Sequence, residues 1–430
     1  MAARFELVTD PDDRVVPDAR LLLWPPDGTS QTVQASLDPW LGQLGPMPPA
    51  AVDLVRVAAT ALIADRRTPR GRRGLRELQL TVHVTDPAAW TAAARATADL
   101  LGFLTGDQWI LEVLPDRHHH QPADPNAPPG VDQVLLLSGG LDSFCGAILV
   151  LTELAPASAA TAGAVGLVFV AYRDSPVVAA AQRRVSSWIT TTLSPTFTLE
   201  PRRISQAEPK AEPSERSRSL LFAALGIATA AGRRAARLQV PENGWTSLNP
   251  PLRANRGGWL STRSTHPQTF ALLAGVLERL GLAVEVVNPY GWHTKGELVR
   301  AAAEVAGPAF PAGIAGTLSC AKLDGRLYRG GHPGLNCGLC VACLVRRAAI
   351  RAAGVPDHTE YLADRLTGPA LRLLRERRQP DLTAVRLAVA AGVDESLLLA
   401  AASFPRNFDV DRALALWERG LKELADADLL

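Results

Sequence analysis

The spacing of apolar residues changes character three times along the chain. In the first 115 residues, LLLWP (21–25) and LQLTVHV (78–84) read as strands, while AAVDLVRVAATALIA (50–64) and AWTAAARATADLLGFL (89–104) carry apolar residues at helical spacing. Residues 1–115 are therefore expected to form an α+β unit of their own. PDRHHHQPADPNAPPG (115–130) is dense in proline and polar residues, and 116–130 reads as an interdomain linker. His118, His119 and His120 within it offer imidazoles. Adjacent residues on a loop seldom converge on one ion, so these three are expected to be solvated.

From Val131 onward strands and helices alternate. VDQVLLL (131–137), AVGLVFVAY (164–172), AARLQVP (235–241) and AVEVVNPY (283–290) are each separated by a helical stretch. Such alternation implies an α/β fold with a doubly wound parallel sheet over 131–354. From PDHTEYLADRL onward, amphipathic stretches such as ALALWERGLKEL (413–424) predict a helical C-terminal region, 355–430. No internal repeat is visible.

Composition narrows the class. A chain of 430 residues, 47% hydrophobic and 20% charged, is globular and long enough for two or three domains. The formal net charge of +2 carries no global signature of nucleic-acid binding. The N-terminal MAARFELVTDPDD turns acidic before an apolar core forms, so it does not read as a secretory signal. The apolar region from Gly146 to Tyr172 is interrupted by Glu153 and Pro156, so it does not read as a membrane span. A cytoplasmic protein with neither a membrane nor a nucleic-acid partner is expected.

The first strand of the alternating region runs directly into SGGLDS (138–143) and then into an apolar helix. In an open parallel sheet, ligands bind beyond the C-terminal ends of strands. Gly139 and Gly140 let the backbone approach an anion, and the following helix aims its free N–H groups at the same place. Ser138 and Ser143 add hydroxyl donors, and Asp142 can hold Mg²⁺ or cap the helix. The stretch lacks both the Gly-Lys-Ser/Thr ending of a Walker A loop and the GxGxxG of a dinucleotide fold. It reads as a third kind of phosphate loop. Cys145, just inside the helix, reads as a small buried residue.

Four of the five cysteines, Cys320, Cys337, Cys340 and Cys343, lie within 24 consecutive positions, 320–343, spaced C-x₁₆-C-x₂-C-x₂-C. In a reducing compartment that clustering argues for metal before disulfide. Four thiolates without histidine suit a closed tetrahedral Zn²⁺ site, worth roughly 10 kcal/mol or more of local folding energy. Such a site has no vacant position for substrate, so the zinc would be structural. An iron–sulfur cluster is the competing reading.

SGGLDS after an apolar strand resembles the signature of the PP-loop ATP pyrophosphatases, and together with the late cysteines it resembles the QueC family of 7-cyano-7-deazaguanine synthases. Further matches follow in order. ERSRSLLFAAL (215–225) is similar to that family's Gly-Arg-Asn helix, with Arg218 and Ser219 at the polar positions. HTKGELVRAA (293–302) is similar to its Ser/Thr-Lys-x-Glu helix start, and GTLSCAK (316–322) to its Thr-x-Ser-Cys. The resemblance spans about Val131 to Gly354. It implies a PP-loop (HUP-like) sheet with a zinc knuckle, an ATP-binding loop made of Ser138, Gly139, Gly140, Leu141, Asp142 and Ser143 with Arg218, and catalytic roles for Asp142, Ser143 and Lys295. It also implies ATP, Mg²⁺ and Zn²⁺ as cofactors, and 7-carboxy-7-deazaguanine or a related deazapurine as substrate. The chain departs from the family in a longer gap between the first two cysteines, in the stretch 241–267, and in the added N-terminal unit. That longer layout resembles the QueC-like QatC component of the Qat anti-phage system and its relative in type IV CBASS. This implies transfer of the activated deazaguanine to a partner protein from the same defence operon.

In the stretch 241–267, Glu242, Asn243, Asn249, Arg263, Thr265 and His266, with Trp245 and Trp259, are rich in directional groups and aromatic faces. A purine analogue needs both, so these residues are expected to line the substrate pocket. Lys295, at a helix start after a strand, is expected to meet ATP phosphates. The arginines at 66, 67, 70, 72, 73 and 76 could dock a partner, but a solvated surface is the expectation. Three other endings stay open: nitrile synthesis with ammonia, a PP-loop tRNA-modifying enzyme, and a non-catalytic nucleotide-binding subunit.

Overall fold

The computed structural model describes the chain except residues 1, 25–32, 35–36, 72–74, 118–129, 162–165, 174, 194–196, 203–204, 207–209, 214, 251–262, 402 and 428–430. The expectations on His118–His120, on Trp259 and on two of the six arginines lie outside the described residues.

The N-terminal region contains β1 (Ala3–Val8), β2 (Arg20–Leu23), β3 (Val33–Gln34), α1 (Leu37–Gln43), α2 (Pro49–Arg67), β4 (Glu77–Val84), α3 (Pro87–Thr105) and β5 (Gln108–Pro115). Four of these strands pair in the order β2-β1-β4-β5, all in parallel. Sequence reading places strands and helices here correctly but as an α+β unit. The parallel pairing is that of an α/β unit, because the β4-to-β5 connection crosses through a helix. α3 starts where Asp86 accepts from Ala89 N–H (3.1 Å) ahead of Pro87, and it stops at Gly106, whose φ of +75° suits only glycine well. α2 is buried on every side from Ala50 to Arg67, so it is sandwiched between two layers and not laid on a surface.

The second layer is the central unit. It runs β6 (Gln133–Leu136), α4 (Leu141–Thr161), β7 (Leu167–Tyr172), α5 (Pro176–Leu193), β8 (Thr198–Arg202), β9 (Ser205–Gln206), α6 (Arg218–Gly232), β10 (Arg237–Gln239), α7 (Gly244–Leu248), α8 (Pro267–Arg279), β11 (Glu285–Val287), α9 (Lys295–Ala306), α10 (Phe310–Ala315) and α11 (Val341–Ala352). Among the described residues, five strands form a parallel sheet in the order β11-β10-β6-β7-β8. The order reverses at β6, so the crevice beyond its C-terminal end is the topological switch point where ligands bind in such sheets. The short β3 and β9 pair antiparallel and tie the two units together.

Successive residues of β6 serve opposite faces of the sheet, as a strand's period of two requires. Val134 and Leu136 join one core with α6, α8, α2, α3 and the N-terminal sheet, so the N-terminal unit shares its core with the central one. Leu135 and Leu137 join another with Phe144, Leu298 and Phe310. The C-terminal helices are α12 (Leu362–Arg365), α13 (Gly368–Ala391), α14 (Glu395–Ala401) and α15 (Val410–Asp426). α15 carries Leu416, Trp417 and Leu421 into a cluster with Trp245 of α7 and Leu344 of α11. Among the described residues, no helix is long and apolar enough to cross a membrane.

The arginine run is not the solvated face expected from sequence. Arg66 donates to Glu215 (2.9 Å), Arg70 to Asp107 (2.7 and 2.9 Å), and Arg76 to Asp65 (2.5 Å) and Asp107 (2.6 Å). Their partners come from 11 to 149 positions away, which is why sequence spacing does not reveal them. Arg66 fastens the N-terminal unit to the segment leading into α6, while Arg70 and Arg76 pair with carboxylates of the unit itself.

Candidate active site

The phosphate-loop stretch leaves the sheet at Leu137, whose N–H still donates to Val170 O at 2.8 Å. Gly139 then takes φ +84°, and a Cβ there would stand 3.0 Å from the Gln182 backbone nitrogen, so glycine is needed for both conformation and space. Ser138 and Ser143 hydroxyls lie 2.9 Å apart, and Gly140 N–H donates to Ser138 Oγ at 3.2 Å. α4 begins at Leu141, so Asp142 and Ser143 stand in its first turn.

A strap formed by residues 317–319, just before the first clustered cysteine, closes over this loop. Leu318 N–H donates to Gly139 O (2.9 Å) and Leu141 N–H reaches Ser319 Oγ (3.4 Å). The strap is held from behind by two residues that sequence reading misses. Asn336 accepts from Ser319 N–H (2.9 Å) and donates to Thr317 O (3.1 Å). The wholly buried Arg346 donates to Thr317 Oγ1 (2.5 Å), Thr359 Oγ1 (2.8 Å) and Ile314 O (2.6 Å). Thr-x-Ser ahead of a cysteine is the only local signal for the strap.

Asp142 and Lys295, which lie 153 positions apart, form a buried ion pair. The Nδ2 of Asn243 donates to Asp142 (3.3 Å) and to Glu242 (3.0 Å), while its Oδ1 caps α7 by accepting from Thr246 N–H (2.9 Å). Burial alone would raise the Asp142 carboxyl. The Lys295 ammonium and hydrogen bonds from Glu242, Lys295 and Asn243 outweigh it and hold the pKa below the ordinary range. Glu242 goes the other way: burial and then the charge on Asp142 push it well above the ordinary value. Burial lowers Lys295, yet Asp142 above all, with Glu242, raises it on balance, so it stays an ammonium. The cluster is thus one carboxylate, one carboxylic acid and one cation. Its carboxyl oxygens are the ligand type that a hard divalent ion prefers, and Glu242 would have to give up its proton to such an ion.

Two cavities open on this cluster. One, of about 420 Å³, is lined by Gly140, Asp142, Lys295, Trp245 and Asn249. The other, of about 480 Å³, is lined by Ser143, Arg218, Thr265 and Phe222, with Leu100 and Leu104 of α3 forming part of its wall. They meet at Ser138, Pro241, Glu242 and Ser319. Both are of ordinary ligand-binding size, about 300–1,000 Å³. Of the expected substrate residues, Glu242, Asn249 and Thr265 line a cavity, and Asn243 stands behind Glu242 as its donor. Arg263 and His266 line neither. The Arg263 guanidinium lies 4.6 Å over the Phe103 ring, and His266, at the start of α8, packs between Phe103 (5.4 Å) and Phe404 (5.1 Å).

The sulfurs of Cys320, Cys337, Cys340 and Cys343 all lie within 4.8 Å of one another, and all four residues are buried. Cys320 and Cys340 are 4.0 Å apart, and Cys337 and Cys343 are 3.8 Å apart. Four sulfurs at about 2.3 Å from a tetrahedral zinc stand about 3.8 Å apart, so the set fits that ion. Cys340 N–H donates to Cys337 Sγ (3.2 Å), and this favours the thiolate that a metal needs. Ser319, next to Cys320, belongs to the cavity wall, so a metal here fastens the strap that covers the loop.

No family model matches the chain. Over 109 residues, 25% of its length, the chain is 33% identical to the 7-cyano-7-deazaguanine synthases of Cupriavidus taiwanensis and Cupriavidus necator. Over 108 residues it is 30% identical to that of Ralstonia pickettii. The chain spans 43% of the length of these relatives. A quarter of the chain is thus similar to 7-cyano-7-deazaguanine synthases, and its fold is α/β with parallel sheets, a helical C-terminal part and a four-cysteine cluster that can hold zinc.

Proposed function

We propose that the protein uses ATP to activate the carboxylate of 7-carboxy-7-deazaguanine, or a related deazapurine, and passes the acyl group to a nitrogen nucleophile. The observation that carries this reading is the Asp142–Lys295 pair set beside the glycine loop at the switch point of the sheet, facing a cavity. The similarity to 7-cyano-7-deazaguanine synthases supports the substrate class.

A carboxylate is a poor electrophile, because its charge repels nucleophiles and oxide cannot leave. Its oxygen attacks the α-phosphorus of ATP, pyrophosphate departs, and the mixed anhydride that results has AMP as a good leaving group. The amine then attacks the acyl carbon, AMP leaves, and the amine proton is lost. Ser138, Gly139, Gly140, Leu141 and Ser143 form the cradle for the phosphates, with Lys295 and Arg218 supplying cations from opposite cavities. Asp142, with Glu242 once deprotonated, would hold Mg²⁺, and that ion would supply charge to offset what develops on pyrophosphate. Zinc on the four cysteines takes no part in the chemistry.

For the acceptor we favour an amine of a partner protein from a defence operon, giving a stable amide. What supports this is the second cavity, where the added N-terminal unit contributes wall residues that ammonia does not require. Ammonia, and hence a nitrile product, is the second reading, and the printed activity of the similar proteins favours it. A sulfur-delivering tRNA enzyme fits less well. The five cysteines are all buried, and Cys145, outside the cluster, is held as a thiol by burial and by the Asp142 charge.

Incubation with ATP and 7-carboxy-7-deazaguanine should release AMP and pyrophosphate, and a co-expressed partner should gain the deazaguanine mass by intact-mass spectrometry. ADP and phosphate as products would sink the reading. AMP with free nitrile and an unmodified partner would leave the ammonia branch.

A further inference from the structure

α6 and α9 both begin at the C-terminal edge of the central sheet, and each begins with a cation. Arg218 opens α6 and lines the second cavity, while Lys295 opens α9 and lines the first. In both helices the first turn is fastened by a carboxylate from outside residues 131–354. At α6, Asp65 Oδ2 accepts from the N–H (3.1 Å) and the hydroxyl (3.0 Å) of Ser217, the residue directly before Arg218. Asp65 is wholly buried and is itself held by Arg76 at 2.5 Å. At α9, one Glu423 oxygen accepts from Gly296 N–H (3.1 Å) and the other pairs with the Thr294 hydroxyl, so the carboxylate brackets Lys295. On the same C-terminal helix, Arg419 donates to Glu297 at 2.8 Å.

The contact at α9 is not needed to start the helix. Thr294 and Glu297 already form a complete capping box there. What Glu423 adds is a fixed position of that turn against α15. Gly296 is the residue that admits it, since a Cβ at that position would stand 2.5 Å from Glu423 Oε1 and 2.8 Å from its Cδ. Ser217 at α6 makes no side-chain cap of its own, and the acceptor for its amide comes from 152 residues away.

We propose that Asp65 and Glu423 are positioning residues, through which the N-terminal unit and the C-terminal helix set where Arg218 and Lys295 stand against the phosphate loop. The two added regions are then parts of the site and not detachable platforms. This inference rests on the ATP reading above.

The test is Mg–ATP affinity of the full chain, measured by calorimetry without the second substrate, with melting temperature in parallel. Glu423→Ala should weaken affinity by about tenfold, whereas Glu423→Gln, whose amide oxygen still accepts, should stay within about twofold. Gly296→Ala should also weaken binding by about tenfold, because the new methyl displaces the carboxylate. It should hold its melting temperature within about 2 °C, since alanine favours the helix. Ser217→Ala removes one bond to Asp65 without stranding Arg76 and should weaken affinity by about threefold. Alanine variants that all bind ATP within about twofold of wild type, whatever their melting temperatures, overturn this inference alone. A wild-type chain that binds no ATP overturns the ATP reading and this inference with it.

Discussion

Two knots of ionisable side chains are joined by the strap at residues 317–319. On one side, four cysteine sulfurs lie within 4.8 Å of one another. On the other, the Asp142 carboxylate is balanced by the Lys295 ammonium beside a neutral Glu242, with Asn243 bridging the carboxyls. Both assemble groups that are costly to bury singly. They differ in access. The cysteines offer four equivalent ligands that a tetrahedral ion would use up, leaving no position for anything else. The carboxylate knot borders two cavities, and its members sit at different protonation states. Equivalent groups in a closed shell suit structure, while inequivalent groups on an open wall suit chemistry.

Breaking the closed knot should have the largest effect, and it should fall on the fold. Metal analysis of the purified chain should find about one zinc per chain. Cys340→Ser should lose it and lower the melting temperature by on the order of 10 °C, or leave the protein insoluble. A zinc-free variant that melts with the wild type would mean that the cluster carries no folding energy. An iron–sulfur absorbance in anaerobic preparations would reassign the metal.

Breaking the open knot should spare the fold. Asp142→Asn removes the charge paired with Lys295, and losing one partner of a buried pair is ordinarily severe. Here a replacement is at hand: burial still opposes ionisation of Glu242, but with Asp142 neutral the like charge that added to it is gone, and Glu242 can ionise against the same ammonium. The melting temperature should therefore change by only about 2–4 °C while AMP release falls by about 10²–10³-fold, as it does when a preorganised charge-stabilising group is lost. If Asp142→Asn instead unfolds as Cys340→Ser does, the distinction between the two knots fails.

What sequence reveals here follows from the range over which each feature is fixed. The glycine loop and the CxxCxxC are local, since their backbone needs and ligand spacing are written within a few residues. The strand alternation is local too, and it carries the parallel central sheet. Features built from distant partners stay hidden. The arginines of 66–76 look like solvated surface because Glu215 and Asp107 are not neighbours in sequence. Arg346 looks like an ordinary helix residue because Thr317 and Thr359, which it ties together, flank it at a distance. Within the stretch 241–267, the polar residues read alike. Yet Pro241 and Glu242 reach both cavities, while Arg263 and His266 go to the seam between α3 and the C-terminal region.

His266 bounds the comparison from below, as a buried ionisable group that belongs to neither knot. Its Nδ1 accepts from Gln268 N–H at 3.1 Å, which requires that nitrogen to be unprotonated. Burial, with the nearby Arg263 charge, lowers its pKa from 6.5 to about 4. The sign follows from linkage. Below pH 6.5 the unfolded chain takes up a proton that the folded ring refuses until about pH 4, so stability present above 6.5 is lost as the pH falls through that window. For a ring 1% exposed, the loss amounts to about 3 kcal/mol at most. His266→Asn keeps an acceptor for Gln268 N–H and removes the titration. Urea midpoints should therefore fall less steeply from pH 6.5 to 4 in the variant than in the wild type, while ATP affinity at pH 8 stays within about twofold. Parallel pH curves would show that the folded ring takes up its proton at the same pH as the unfolded one. A large loss of ATP affinity would return His266 to the substrate side, where its sequence context first put it.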